Sequence, residues 1–378
     1  MKKIYQITLL VFGVVLFSSN TYALHIVTQV ELDAFVANNP NLSTYTGDLI
    51  IGADIDNTWG TPYSNTDIND LSGLQNLKKV EGDFYILKFK GANLSGLENL
   101  EEVTGSFIIS GAPILKNLEG LSKMQEVGAE FIISHNYLME DISGFALDVN
   151  IGLSVVVDSN NTMVSLNGYE HLNCPGVIML CYNPKMTDMS AFQGVTKVKK
   201  LFIFNNDEIE ELSSLSGLVD AEDLRIYDNP KLFTLDGLSN LETVQTLRIY
   251  NNPSLYDCDV EGVCNQISKG DLVAISIYNN KTGCNSISEI NCLVANENVK
   301  ELEQLITISP NPSNGNVLVR ANQDLKINKI TIVNAMGQIV FNVKNANEAL
   351  DLNDLQSGMY FVRFSIDNQT VTKRLIVE

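Results

Sequence analysis

The 378-residue chain carries 25 Lys+Arg against 45 Asp+Glu, a formal net charge of −20, with 45% hydrophobic residues and six cysteines. Such acidity argues against DNA, RNA and anionic lipid as partners, because phosphate binding requires the opposite sign. The imbalance is local: residues 24–304 hold 16 Lys+Arg and 39 Asp+Glu, whereas residues 305–378 hold 7 and 6, so two regions of different character are expected.

The chain opens on Lys2 and Lys3, then an apolar run from Ile7 to Phe17, then small and polar residues up to Ala23. That order predicts a secretory signal at residues 1–23, with Thr21 and Ala23 at the −3 and −1 positions and Leu24 starting the mature chain. The run is too short to span a bilayer, and no later window is apolar enough, so no membrane insertion is expected after signal removal.

A repeat follows. The pattern apolar-x-apolar-x-x-Asn recurs with its Asn at 136, 160, 183, 206, 229, 252 and 280. Its strands open at residues 84, 107, 131, 155, 178, 201, 224, 247 and 275, in steps of 23, 24, 24, 23, 23, 23, 23 and 28. Between them runs Leu-x-Gly-Leu-x-Asn-Leu, at 71–77, 94–100 and 235–241. One such unit cannot bury its apolar face alone, but stacked units share a continuous core. The repeat is too short for more than one helical turn, so short strands and tight turns are expected. The Asn column is expected to bond turn backbone that would otherwise be buried unpaired.

If residues 224 and 226 and their equivalents point inward, the residues between them point outward. One outward column reads Ile108, Ile132, Val156, Met179, Phe202, Arg225, Arg248, Ser276, and the next Ser110, Ser134, Asp158, Cys181, Phe204, Tyr227, Tyr250, Tyr278. Solvent-facing strand positions are usually polar, so an exposed aromatic stripe with two arginines is expected to be an interaction surface. The candidate binding residues are Phe202, Phe204, Arg225, Tyr227, Arg248, Tyr250 and Tyr278, with the Tyr rings stacking on sugar or apolar groups.

Cys258 and Cys284 are 26 residues apart and Cys264 and Cys292 are 28 apart, each close to one repeat. Neighbouring repeats lie about 5 Å apart, within disulfide reach, so the pairs 258–284 and 264–292 are expected. Cys174 and Cys181 are predicted not to bond to each other. With three histidines and no Cys-x-x-Cys, neither a zinc site nor a cofactor is expected, while the acidity leaves calcium binding open.

A polar stretch at 293–304 reads as a linker. Beyond it, short strand-like runs broken by Gly, Pro and Asn predict a small β-sandwich over 305–378.

No Gly-x-Ser-x-Gly, Walker or His-Glu-x-x-His motif is present. The nearest charged constellation on the sheet, Asp158, Arg225, Asp228 and Arg248, is spread over five repeats. The expectation is a non-catalytic protein. The rival readings are a polysaccharide-active enzyme on a β-helix and a self-assembling surface component.

Two resemblances sharpen these expectations. Residues from about 28 to 292 resemble receptor L-domain and leucine-rich-repeat solenoids of bacterial surface proteins. The segment Thr28–Val36 is similar to the capping helix, Gly47–Ile51 to the first strand, and the four late cysteines to the C-terminal cap. The resemblance implies an all-β, right-handed parallel β-solenoid with repeats of about 23 residues over 24–292. It departs from the pattern at 52–69, an insertion holding Trp59, the only tryptophan, and at Cys174 and Cys181. The tail motifs are Pro310-Asn311-Pro312-x-x-Gly315, the run ending in Gly337, Gly358-x-Tyr360, and Lys373-Arg374 near the C-terminus. Together these resemble the type A C-terminal sorting domain of type IX secretion. That implies the type IX machinery as partner, passage through the Gram-negative outer membrane and removal of the tail, while the expected ligand of the sheet face is an unidentified extracellular glycan or protein.

Overall fold

The computed structural model describes residues 23–53, 65–146, 148–166, 174–269, 273–292, 305–321, 327–334, 338–344, 349–366 and 369–378. Residues 1–22 of the signal, Trp59, the linker 293–304 and Gly337 lie outside them. The molecule is mostly β and divides into two compact units, residues 1–291 and 292–378.

The first unit is organised by an eleven-stranded parallel sheet whose strands follow one another in chain order, from Leu24–Ile26 at one edge to Ala274–Tyr278 at the other. Register places each repeat on its own image: Phe84 on Phe107, Phe131 on Val155, and Leu201, Leu224, Leu247 and Ile275 in one row. Inward rows are dry; Leu201, Leu224, Leu247, Ile203, Ile226 and Ile249 are fully buried. Inside, Phe84 stacks on Phe107 with centroids 5.2 Å apart, and Phe131 follows, tilted by 37°, at 5.9 Å. Five short strands, among them Lys79–Glu81 and Glu126–Val127, form a second parallel sheet.

Single 3-10 turns such as Ser213–Leu215 and Asp236–Leu238 complete the later repeats, as their length requires. The glycine of the Leu-x-Gly-Leu motif marks close contact between repeats. A Cβ on Gly237 would lie 1.6 Å from the Leu212 carbonyl oxygen, and one on Gly96 1.9 Å from that of Leu71.

The Asn column is a hydrogen-bonded ladder. The Oδ1 of Asn160, Asn183, Asn206, Asn229, Asn252 and Asn280 each accepts the backbone N–H of the Asn one repeat earlier, at 3.0–3.2 Å. Their Nδ2 groups donate back to strand carbonyls such as Leu180, Ile203 and Ile226, at 3.0–3.1 Å. Six of the seven are fully buried, so without these bonds the turn backbone would be desolvated and unpaired. The residue before each Asn (His135, Ser159, Tyr182, Asn205, Asp228, Asn251, Asn279) has φ of 54–57°, the left-handed bend that ends the strand.

Both ends of the sheet are finished differently from its middle. Thr28 caps the helix Gln29–Asn38 in a capping box with Glu31, beside the first strand. Near the other end, the connection between the last two strands, which pair directly, contains the helix Glu261–Lys269, and this explains the 28-residue final step. Cys258 and Cys284 are bridged with Cα atoms 5.8 Å apart, Cys264 and Cys292 are also disulfide-bonded, and Cys174 and Cys181 are free, buried thiols.

The second unit holds a three-stranded antiparallel sheet (Ile306–Ser309, Asn316–Ala321, Ala349–Asp351) and a four-stranded one (Ile327–Asn334, Ile339–Lys344, Gly358–Ile366, Gln369–Val377). Ile306, Val317 and Leu350 of the first share a core with Ile330, Val362, Phe364 and Leu375 of the second.

Candidate binding face

The outer side of the large sheet changes character along its length. Ile132, Val156, Met179 and Cys181 are buried at 0–4% exposure, and Phe202 and Phe204 belong to the same cluster at 4% and 7%. This corrects the expectation of a continuous exposed stripe: Phe202 and Phe204 are core residues, not surface anchors. The local packing gives a reason. The Arg225 guanidinium carbon lies 4.7 Å over the Phe202 ring, while Phe204 is stacked by Tyr227 at 4.6 Å and met edge-on by Tyr182 at 5.6 Å. Cys181 belongs to this second core, where burial and the neighbouring Asp158 push its thiol pKa up.

From the strand Asp220–Tyr227 onward the face opens. Tyr227 and Tyr250 are half-buried, and Tyr278 on the edge strand is 43% exposed. Their rings continue one stack, with Tyr227 and Tyr250 4.7 Å apart and Tyr250 and Tyr278 4.9 Å, at interplanar angles of 8° and 2°. The spacing is that of the strands themselves, about 4.8 Å. It follows that the faces of Tyr227 and Tyr250 are occupied by neighbouring rings, which corrects the expectation that sugars stack on them. The inner tyrosines offer ring edges and hydroxyls instead. Burial, then the charge of Tyr250, pushes the Tyr227 phenol pKa up, and burial, then Tyr278, does the same for Tyr250. Both stay protonated and can donate at neutral pH.

The two arginines differ although they sit in the same column. Arg225 is held by Asp223 on its own strand, Nε to Oδ1 at 2.9 Å and Nη2 to Oδ2 at 2.5 Å, and that bond raises its pKa. Its charge is answered within the chain, so of the two arginines named as candidates Arg225 is already paired. Arg248 has Thr246 where Arg225 has Asp223. No ion pair to Arg248 is found among the described residues, and its Nε is buried without a hydrogen-bond acceptor. Asp223 and Thr246 went unremarked in the sequence, although aligning Asp223-x-Arg225 with Thr246-x-Arg248 exposes the difference.

Of the other charged residues on the sheet, Asp158 accepts from Ser159 Oγ at 2.9 Å and from the Cys181 thiol at 3.4 Å. No group of three or more His, Cys, Asp or Glu among the described residues could hold a metal. No helix there is long and apolar enough to cross a membrane.

In the second unit the tail motifs converge on the last strand. Asn311, between Pro310 and Pro312, donates from Nδ2 to the Arg374 carbonyl at 2.7 Å and accepts the Ile376 N–H at 2.9 Å. Ser313 N–H donates to the Ile376 carbonyl at 2.9 Å. Gly315 has φ of 100° and its carbonyl accepts from Leu352 N–H at 2.6 Å. The Tyr360 hydroxyl donates to the Gln356 carbonyl at 2.7 Å, two residues before Gly358. Lys373 is half-buried and Arg374 exposed on the final strand.

No curated protein matches the chain. Residues 307–378, the region that carries these tail contacts, match the family model described as "Secretion system C-terminal sorting domain". The chain therefore ends in a type IX secretion sorting domain, which makes it an exported protein delivered by that machinery to the cell surface or medium.

Proposed function

We propose that this exported protein is a non-catalytic binding or adhesion protein, its first unit a right-handed, L-domain-like β-solenoid that presents a ligand on the outer face of its large sheet. One observation carries the reading: the outer face, a sealed apolar core in its middle, opens toward its C-terminal edge into Arg248, Tyr250 and Tyr278, where tyrosine edges and an unanswered cation meet solvent. Tyr and Arg are the residues that most often anchor interfaces. Two carboxylates of this face are engaged within the chain, Asp223 by Arg225 and Asp158 by Ser159 and Cys181.

The test is an array of extracellular glycans and surface proteins probed with the full chain and with the Tyr250→Ser/Tyr278→Ser variant. The variant is expected to lose binding while its melting temperature falls by only a few degrees, because Tyr278 ends the stack and no core ring is removed. Unchanged binding by a folded variant would place the ligand elsewhere. Release of reducing ends from any arrayed polysaccharide would replace a binding role with a catalytic one.

A further inference from the structure

We infer that Arg248 is the anchor of a carboxylate subsite, filled by an acidic sugar within an otherwise neutral glycan. The inference rests on the reading of this face as the ligand-binding one, and it names the ligand chemistry.

The chain contains its own picture of the occupied state. Arg225 and Arg248 are register partners on adjacent strands, as are Asp223 and Thr246. At Arg225 the carboxylate two residues back fills the fork of the guanidinium with two bonds. At Arg248 the same place holds a hydroxyl residue, no ion pair forms among the described residues, and Nε is buried with no acceptor. A guanidinium has five N–H donors and cannot shed its charge, so a dry, unanswered Nε is a cost that a planar oxyanion removes. On the far side the next strand presents only small side chains, with Ala274 opposite Thr246 and Ser276 opposite Arg248. The preceding strand has instead Lys200 opposite Asp223 and Phe202 opposite Arg225.

Charge and shape then restrict the ligand. Residues 24–304 carry 39 Asp+Glu against 16 Lys+Arg, so the net field of this region opposes a polyanion. A single carboxylate flanked by neutral groups satisfies Arg248 without that repulsion. The neighbouring column presents the edges of Tyr227, Tyr250 and Tyr278 at spacings of 4.7 and 4.9 Å, a row of phenolic groups suited to a polyhydroxylated chain rather than to apolar side chains. Only Tyr278, the last ring of the stack, can offer an unstacked face to a sugar ring.

The experiment uses the full chain and a neutral N-acetylglucosamine oligosaccharide that carries one internal glucuronate, beside the same oligosaccharide reduced at that carboxyl group. Native protein is expected to bind the first at least about tenfold more tightly than the second. Arg248→Gln should abolish the preference. Thr246→Asp should do the same by supplying an internal carboxylate, and should leave the melting temperature equal or higher, which separates occupation of the subsite from misfolding. Equal binding of both oligosaccharides, or an unchanged preference in both variants, overturns the inference. If Tyr250→Ser/Tyr278→Ser still loses binding in that case, the face remains the binding site and only the carboxylate assignment fails. Preferential capture of a glutamate-rich peptide, lost in Thr246→Asp, would replace the glycan by an acidic protein segment. Failure of native protein to bind either oligosaccharide also overturns the inference.

Discussion

The two units reach a dry core by opposite routes. In the first, each residue rests on its own counterpart one repeat away, so one favourable choice is repeated: Leu201, Leu224 and Leu247 in one row, Asn206, Asn229 and Asn252 in another. In the second, segments far apart in sequence meet, as when Asn311 bonds the backbone at Arg374 and Ile376. A chain of like-on-like contacts can be lengthened or interrupted locally, and the helix Glu261–Lys269 does so without breaking the sheet. A closed antiparallel unit has no such freedom. The fixed shape of the second unit suits a secretion tag.

The largest effect should come from separating the two. Removing residues 305–378 is expected to abolish surface display while the first unit stays folded, since each unit has its own core. Surface labelling of intact cells measures this, and labelling at the full-length level would overturn the export role of the tail.

Within the first unit, Asn229→Ala should cost about 4 kcal/mol, because it strips partners from the Asn206 N–H and from the Ile203 and Tyr227 carbonyls at once. Denaturant unfolding gives the number, and a loss below about 1 kcal/mol would mean that water replaces the ladder. The double change Cys258→Ser/Cys284→Ser should cost about 3 kcal/mol, the loop-closure value for a 26-residue separation. If reduction leaves the unfolding midpoint unmoved, the cap is held by packing alone.

The smallest effect is a pH dependence. Burial pushes Asp257 up to about 6, against the Thr234 hydroxyl bond that pulls it down, and Asp236 and Asp259 add to the rise. Its folded pKa exceeds its unfolded one, so the folded state binds the extra proton between about pH 6 and 4. This group therefore favours folding as pH falls through that window and opposes it above pH 6. Asp257→Asn should raise stability at pH 7 by about 1 kcal/mol, after allowance for partial solvent access, and should remove that slope. Parallel melting-temperature curves for native and variant protein between pH 4.5 and 7 would contradict it.

Much of this molecule was legible in its residues. The 23-residue spacing located the strands, whose start positions fall in register, and the disulfide spacing matched the observed Cys258–Cys284 bridge. These features are one-dimensional: a repeat stacked on itself turns sequence period into contact. The tail motifs were legible for a different reason, since a tag read by one machine keeps a recognisable pattern, and residues 307–378 match the sorting family.

What the sequence could not decide was the state of the outer face. Alternation along a strand says which side chains leave the core, but not whether they reach water. Only packing among neighbouring strands and loops shows that Phe202 and Phe204 lie in a second core, and that Tyr227 and Tyr250 hide their faces against each other. The difference between Arg225 and Arg248 also needed register, because a charge is free or answered according to what stands within about 3 Å of it. Composition and period set the architecture because burial is additive and repeats. The exposure of the outer face was settled by individual distances, which depend on which side chains the fold brings side by side.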